Sequence, residues 1–248
     1  MGLARLGRAA LDFCYPGCCA ACGATCDGVQ PLCEKCLQKL RRLEAASACP
    51  ACARPLAAEV AVCPYCKGRG FWPLQRIVSL GLFDDPLRTL IHQLKYRSRW
   101  PLAEQLADRL LQQPAMQTLM KQTDLLISVP LHRLRQVARG YNQAEVIAHR
   151  LARRCGLRLV HPVVRLKRTR TQTQIRSLAV RRSNLRDAFV LVRPEQVRGQ
   201  RVVIVDDVMT SAATLLTLAR TLRRADPAGI SACVLAVADP RGRGFEYI

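Results

Sequence analysis

From about residue 74 onward, apolar and polar residues follow an alternation of strands and helices. Short apolar runs typical of buried strands occupy residues 76–83, 125–129, 157–164, 188–192, 201–205 and 230–236. Between these runs, apolar residues recur at helical spacing after Asp85-Pro86, after Pro101, after Asn142 and over residues 214–224. This order predicts an α/β domain with a mostly parallel sheet that helices cover on both faces. Ligands of such sheets bind beyond the carboxyl ends of the strands.

The first 70 residues follow neither pattern and are rich in cysteine instead. Eleven of the 13 cysteines lie in the first 66 residues, and eight of them form four Cys-x-x-Cys pairs. Two intervening residues let both thiolates of a turn face one tetrahedral ion, so two such pairs complete a four-thiolate zinc site. The spacing therefore predicts one or two structural zinc ions. The expected ligands are Cys19, Cys22, Cys33, Cys36, Cys49, Cys52, Cys63 and Cys66.

The sequence leaves the partnering of these cysteines open. The pairs form either two successive zinc ribbons or an interleaved arrangement, and Cys18 is an alternative ligand to Cys19. Disulfides are the alternative to metal, but the N-terminus lacks the apolar run of a signal peptide, so we expect a cytoplasmic protein and reduced thiols. The segment has too few large apolar residues for a core of its own. We expect a metal-held module over residues 1–72 and a second domain over residues 73–248.

Positive charge is concentrated in the middle of the second domain. The chain has 39 Lys and Arg against 18 Asp and Glu, a formal net charge of +21, and residues 131–201 alone hold 18 basic residues against three acids. So basic a segment attracts phosphate on a small molecule, a nucleic acid or a membrane surface, or else forms a solvated arginine-rich face. No apolar run reaches the roughly 18 residues of a membrane helix, so we expect no membrane span.

Residues 202–214 (VVIVDDVMTSAAT) carry the most specific chemistry in the chain. A buried strand delivers Asp206 and Asp207 to its carboxyl end, and a small, hydroxyl-rich loop leads into a helix. The backbone N–H groups, the hydroxyls and the helix dipole of such a loop form a phosphate cradle. Carboxylates beside the cradle accept hydrogen bonds from sugar hydroxyls. The segment therefore predicts a site for a ribose 5-phosphate.

Three other interpretations of this segment are weaker. A receiver domain has its paired acids near the start of the domain, whereas only 41 residues follow Asp207 here. A Walker B strand requires an upstream G-x-x-x-x-G-K-[ST] loop, which this sequence lacks. An ordinary strand, turn and helix with an aspartate cap explains neither the paired acids nor the Thr-Ser-x-x-Thr pattern.

The same segment resembles the phosphoribosyl-diphosphate (PRPP) signature of type I phosphoribosyltransferases, and with the cysteine pairs it resembles the ComF family of DNA-uptake and DNA-utilisation proteins. Residues 90–96 (LIHQLKY) resemble the family's LI-x-x-LKY segment. Residues 128–131 with 139–144 resemble its VPL…RGFNQA segment, and residues 168–189 resemble a later stretch with looser spacing. The resemblance covers nearly the whole chain, and the order of the motifs is specific.

The resemblance implies a PRPP site. Asp206 and Asp207 would bind the ribose 2- and 3-hydroxyls and stand near the cation that develops when the bond to pyrophosphate breaks. The 5-phosphate would be held by Thr210, Ser211, Ala212, Ala213 and Thr214, and the diphosphate by Arg133, Arg135 and Arg139, with Lys95 as a further phosphate contact. Magnesium would accompany PRPP. Single-stranded DNA and other DNA-uptake proteins are the further partners that the resemblance implies.

Ala212 departs from the family's pattern, which has glycine after the hydroxyl pair. Glycine at such a position permits a positive φ or a close approach of the backbone to phosphate. We expect Ala212 to keep a negative φ with its methyl group directed away from the ligand. We also expect it to weaken PRPP binding without abolishing it.

Two other classes of function stay open in the sequence. A nucleic-acid-binding adaptor would keep the fold without the chemistry and use the basic residues 165–182 on DNA phosphates, whereas a transferase would use them as a cover over its site. A nucleobase salvage phosphoribosyltransferase is disfavoured, because no base-binding hood is recognisable and a zinc module is unexpected there.

Overall fold

A five-stranded parallel sheet organises the described part of the chain. The computed structural model describes residues 17–26, 31–57, 59–97, 99–132, 136–137, 139–166 and 188–238. The sheet has the strand order β1-β7-β6-β2-β3. Its strands are β1 (Ile77–Leu82), β2 (Leu125–Ser128), β3 (Arg158–Leu159), β6 (Arg201–Met209) and β7 (Gly229–Val237). Two short strands, β4 (Val163–Arg165) and β5 (Phe189–Leu191), form a separate antiparallel pair.

Helices cover both faces of this sheet, as the sequence predicts. The helices are α1 (Glu34–Glu44), α2 (Leu87–Tyr96), α3 (Pro101–Leu111), α4 (Pro114–Lys121), α5 (Gln143–Cys155) and α6 (Ala213–Arg223). Successive residues of a strand face opposite sides of a sheet. Val203 and Val205 accordingly join a core with α1 to α5, whereas Val202 and Ile204 join a second core with α6 and the β4–β5 pair.

Two details of the strands differ from the sequence prediction. The single strand expected over residues 157–164 is wrong, because β3 pairs with β2 whereas β4 pairs with β5. Pro162 lies at the break and has no N–H group to donate to a continuous ladder. Strand β6 continues beyond the predicted residues 201–205 as far as Met209, with Asp206 opposite Val234 of β7. The acid pair therefore lies within the part of β6 that pairs with β7.

The cysteine-rich region packs directly on the sheet through helix α1, which the sequence pattern did not predict. Leu32, Cys36 and Leu40 are buried in the same core as β1, α2 and α3. At the end of α1, the Glu44 carboxylate accepts two hydrogen bonds from Arg109 of α3, at 2.6 Å and 2.7 Å. The apolar residues of this region thus bury themselves against the sheet. The domain division at residues 72 and 73 stays a prediction.

In the part of the chain that the structure describes, no helix combines the length and the apolar character needed to cross a bilayer.

Candidate functional site

The end of β6 and the start of α6 surround a small depression in the protein surface. Residues 210–212 connect the two elements, and Asp206 is one of the residues that line the depression. The N-terminus of a helix carries partial positive charge and free N–H groups, so it favours an anion. The other lining residues are Val208, Met209, Thr210, Ala212, Ala213, Thr214 and Leu215.

Ser211 lies in the connecting loop with its hydroxyl buried. Among the residues that the structure describes, Ser211 Oγ has no hydrogen-bond partner. A buried hydroxyl without a partner costs free energy, about 1–3 kcal/mol by mutational measures.

Ala212 has a left-handed backbone, with φ = +61° and ψ = +2°, and is 3% exposed. The expectation of a negative φ is therefore wrong. The loop turns sharply between the strand and the helix, and this turn demands the conformation for which glycine is ordinarily used. For a residue with a Cβ, the left-handed region costs about 1–2 kcal/mol.

The two aspartates face different neighbours because they are successive residues of a strand. Asp207 Oδ2 lies 3.3 Å from Lys95 Nζ, and the two side chains are only 13% and 15% exposed. Lys95 lies near the end of α2, so this contact joins the LI-x-x-LKY segment to the acid pair. Asp206 instead borders the loop depression. The structure thus brings Lys95 to the acid pair, in direct contact with Asp207.

The Asp206 carboxyl has a strongly raised pKa. Burial disfavours its charged form, and the negative charge of Asp207 adds to the effect, so that its pKa rises to about 7. The hydrogen bond from the Asp207 N–H to Asp206 Oδ1, at 2.9 Å, and the positive charge of Lys95 oppose this rise without cancelling it. The charged form of Asp206 is therefore disfavoured relative to an ordinary aspartate, as is often found for acids at functional sites.

This raised pKa predicts a stability that depends on pH. Asp206 titrates near its ordinary value of 3.8 in the unfolded chain and near 7 in the fold, so the native protein binds the extra proton between these values. The free energy of unfolding contributed by this group falls as the pH rises from about 4 to about 7. We expect Asp206→Asn to be more stable than the wild type at pH 8, by up to about 4 kcal/mol, and equally stable near pH 4.

Urea denaturation at pH 4, 6 and 8 measures this difference. Asp226→Asn is the matched control, because the side chain of Asp226 is 89% exposed and its replacement leaves the pH profile unchanged. A constant difference between Asp206→Asn and the wild type across this range would contradict the assignment.

The RGYNQA segment reaches the same end of the sheet. The Tyr141 hydroxyl donates a hydrogen bond to the Leu94 carbonyl, and Gln143 Nε2 donates to the same oxygen at 3.4 Å. The guanidinium of Arg139 lies 5.6 Å from the ring centre of Tyr96, and its Nη1 donates to Gln143 Oε1 at 3.2 Å. Arg139 thus lies beside α2, in contact with Tyr96, which is the residue after Lys95. Arg133 and Arg135 lie outside the described residues.

The eight paired cysteines form two clusters from successive pairs, so the arrangement is not interleaved. Cys19, Cys22, Cys33 and Cys36 form the first cluster and Cys49, Cys52, Cys63 and Cys66 the second, and within each cluster the four sulfurs lie within 4.8 Å of one another. All eight are free thiols, and Cys18 lies outside both clusters. The alternative of Cys18 as a ligand in place of Cys19 is therefore wrong, and the described cysteines form no disulfide.

The spacing of the sulfurs fits a tetrahedral zinc ion. The Cys22–Cys33, Cys49–Cys66 and Cys52–Cys63 sulfur pairs are each 3.7 Å apart. Four sulfurs at the usual zinc distance of about 2.3 Å stand about 3.8 Å from one another. Both clusters therefore have the donors and the geometry of a closed structural metal site.

Backbone amides in the turns prepare two of these thiols for ionisation. Burial opposes the charge on Cys19, but N–H groups of Cys33, Cys22 and Ala21 point at its sulfur and lower its pKa to about 6. In the second cluster the N–H groups of Cys66 and Tyr65 outweigh burial in the same way and lower the pKa of Cys63 to about 7. The thiolate is the form that binds a metal.

Arg54 is a residue at this site that sequence analysis missed. It follows the first turn of the second cluster, is 4% exposed, and donates a hydrogen bond of 2.5 Å to the carbonyl of Thr210. Thr210 is 156 positions further along the chain. No local pattern signals such a contact.

A parallel sheet with paired acids at a strand end and a loop at the following helix N-terminus defines a protein of the type I phosphoribosyltransferase fold. In agreement, residues 137–247 match the phosphoribosyl transferase domain. Among solved structures, a purine phosphoribosyltransferase from Pyrococcus horikoshii covers 57% of this chain and 72% of its own, at 18% identity and a TM-score of 0.33, a likeness too low to define the site.

The relatives identify the family more narrowly. The chain is 36% identical over 197 residues to DNA utilization protein YhgH of Salmonella typhimurium, covering 78% of this chain and 84% of the relative. It is 36% identical over 155 residues to competence protein F of Haemophilus influenzae, 60% and 67% of the two chains. It is 23% identical to competence protein ComFC of Bacillus subtilis, over 78% of each. The chain belongs to the ComF family.

Proposed function

We propose that this protein binds PRPP, or a closely related phosphorylated ribose, at the end of β6 and acts in the uptake or utilisation of DNA. The observation that carries the first part is the position of Asp206, a half-buried acid at the same depression as the loop at the start of α6. The second part rests on the names of the relatives, which are DNA utilization and competence proteins.

The loop supplies hydrogen-bond donors for a 5-phosphate. The amides at the start of α6 and the hydroxyls of Thr210, Ser211 and Thr214 are donors, and donors to a charged oxygen give the stronger hydrogen bonds. The buried hydroxyl of Ser211, with no partner among the described residues, supports a ligand at this position. The loop is the proposed 5-phosphate site.

The acid pair supplies acceptors for the ribose hydroxyls. Asp206 and Asp207 lie near the carboxyl end of β6, directly before the loop. Magnesium prefers carboxylate and phosphate oxygens, so the ion that accompanies a diphosphate fits this end of the sheet. In a transfer reaction a nucleophile of the acceptor bonds to the anomeric carbon, the bond between that carbon and the diphosphate breaks, and the diphosphate leaves with the electron pair. We assign the stabilisation of the developing cation to the two acids, and that of the leaving diphosphate to the positive charges of Arg139 and Lys95.

The loop conformation makes PRPP affinity sensitive to residue 212. Alanine disfavours the left-handed backbone that the loop requires, so only part of the free protein holds the loop ready for a phosphate. Glycine removes this cost and raises the competent fraction. We expect Ala212→Gly to bind PRPP and magnesium more tightly than the wild type, by up to about tenfold.

Isothermal titration calorimetry of both proteins with PRPP and magnesium tests this expectation. Ala213→Gly is the matched control, because Ala213 already lies in α6, where glycine brings no conformational relief and the affinity does not rise. Equal affinities of the wild type and Ala212→Gly would contradict the account of the loop.

We also infer that the two cysteine clusters hold structural zinc. Four thiolates with tetrahedral spacing leave no open position for a substrate, so the ions stabilise the fold and take no part in chemistry. Eight thiols that must stay reduced suit the cytoplasm, where we place the protein.

A second candidate function, a nucleic-acid-binding adaptor, is favoured by the net charge of +21. Binding to DNA phosphates releases counterions, so its affinity falls steeply with salt. The two candidates are separable, since the adaptor requires basic residues such as those in the segment 165–182 and does not require the acid pair.

A further inference from the structure

Arg54 is a buried arginine that touches both the second cysteine cluster and the phosphate loop. Arginine is seldom fully buried unless its charge is satisfied by partners. Here the side chain is 4% exposed and lies between the cluster and the sheet. The two ends of the residue have different surroundings, and each is fixed by specific contacts.

The backbone of Arg54 is part of the metal-binding turn. The Cys49 N–H donates to the Arg54 carbonyl at 2.8 Å, and the Arg54 N–H points at the Cys52 sulfur. The second turn of the cluster contributes Tyr65, whose ring centre lies 5.0 Å from the Arg54 guanidinium. Both turns of the cluster therefore hold Arg54 in place.

The guanidinium reaches the other side of this interface, where β6 and β7 end. Its Nη2 donates to the Thr210 carbonyl at 2.5 Å and its Nη1 to the Ala238 carbonyl at 3.3 Å. The Ala238 N–H in turn donates to the Met209 carbonyl at 2.9 Å. A charged, two-armed donor thus ties the first residue of the phosphate loop to the end of the neighbouring strand.

The contact with Thr210 fixes the direction of the next amide. A trans peptide is planar, with its C=O and N–H groups on opposite sides. Because Arg54 holds the Thr210 carbonyl, the Ser211 N–H is directed away from Arg54. A rotated peptide would turn a carbonyl instead of an amide towards an anion in the loop.

We propose that Arg54 is a positioning residue through which the metal in the second cluster sets the conformation of the phosphate loop. The apolar core of this cluster consists of its four cysteines, with partly buried neighbours around it, so its turns depend on the metal for their geometry. Loss of the metal releases Arg54 and, with it, the Thr210 carbonyl. For the ligand, this inference rests on the proposed PRPP site.

Thermodynamic linkage makes the coupling reciprocal. If metal in the second cluster favours the loop conformation that binds PRPP, PRPP must favour retention of that metal to the same extent. PRPP therefore slows the release of zinc to a chelator. Removal of the Arg54 guanidinium abolishes this protection.

The test uses the full chain loaded with zinc and compares the wild type with Arg54→Gln. Hydrogen exchange of the amides over residues 209–216, without ligand, is expected to be at least tenfold faster in the variant. Calorimetry is expected to show about tenfold weaker binding of PRPP.

Arg69→Gln is the control, because Arg69 is an exposed arginine of the same module and its replacement leaves both quantities unchanged. If Arg54→Gln folds poorly, Arg54→Lys replaces it as the test variant. It keeps the charge but loses the two-armed guanidinium, so it is expected to recover only part of the protection of the loop.

Zinc release from the wild type supplies a readout that needs no variant. A chelator that changes colour on binding zinc follows the release with and without PRPP, and slower release with PRPP supports the coupling. Unchanged loop exchange in Arg54→Gln, or unchanged zinc release although PRPP binds, would overturn it. If the wild type does not bind PRPP, the ligand assignment fails, and the hydrogen exchange of the loop alone decides whether Arg54 positions it.

Discussion

Replacement of both acids, as Asp206→Asn and Asp207→Asn together, is expected to weaken PRPP binding at least a hundredfold. Each carboxylate that accepts a hydrogen bond from a ribose hydroxyl contributes about 1.5–3 kcal/mol, as hydrogen bonds to charged groups do. Two such contacts correspond to a factor of about 10² to 10⁴ in the dissociation constant. Asparagine preserves the shape of the side chains, so the loss reports on charge.

The stability of this double variant separates a lost ligand contact from a damaged fold. Two half-buried acids in succession repel each other and raise the pKa of Asp206, so the replacement of Asp206 relieves a cost of folding. The replacement of Asp207 removes the ion-pair partner of Lys95, and this loss opposes the gain. We expect weaker binding together with a stability at pH 8 close to that of the wild type. Asp124→Asn, at the opposite end of the sheet beside Arg201, serves as the binding control. A double variant that binds PRPP as the wild type does would exclude the acid pair from the site.

The same variant distinguishes a transferase-like site from an adaptor. Binding to single-stranded DNA through basic residues of the chain is expected to survive the two substitutions and to fall steeply with salt. Survival of DNA binding together with loss of PRPP binding would place the two ligands on distinct surfaces. Loss of both would mean that they share one.

Loss of the second metal site is expected to have the largest effect on stability. Cys52→Ser with Cys63→Ser removes two of the four thiolates, and both residues are buried. Zinc binding supplies about 10–16 kcal/mol to small metal-held modules, so the loss of even part of it exceeds the marginal stability of a domain. We expect the zinc content to fall from two ions to one per chain, and the region around residues 49–66 to become sensitive to proteolysis.

Cys18→Ser is the control for this prediction, because Cys18 is exposed and lies outside both clusters. Elemental analysis measures the zinc content, and limited proteolysis the stability of the module, in the wild type, in the Cys52→Ser, Cys63→Ser variant and in Cys18→Ser. Two zinc ions per chain in the Cys52→Ser, Cys63→Ser variant, or one ion in the wild type, would contradict the assignment of two closed sites.

Features that depend on local spacing could be predicted from the sequence. The Cys-x-x-Cys pairs are local, and the structure joins successive pairs into two clusters. The run ending in Asp206 and Asp207 is strand-like because its apolar residues are buried on both faces, as the central strands of a parallel sheet are. The acids follow at the carboxyl end, where the topology places ligands.

Features that depend on tertiary contacts could not be predicted from the sequence. The side chain of Arg54 donates hydrogen bonds to the carbonyls of Thr210 and Ala238, which are distant in sequence. An arginine beside a cysteine pair does not predict such contacts. The sign of φ at Ala212 depends on how β6 meets α6, and alanine at that position favours the wrong expectation. Helix α1 falls among the cysteines, and its apolar residues indicate a core only once β1 and α3 lie beside them.

The central claim is that the depression between β6 and α6 receives a phosphorylated pentose, and a calorimetric titration of the wild-type chain tests it most directly. We predict that PRPP with magnesium binds at one site per chain, and that ribose 5-phosphate competes for it whereas ribose without its phosphate does not. No heat of binding at millimolar PRPP, or binding that ribose 5-phosphate leaves undisturbed, would contradict the account.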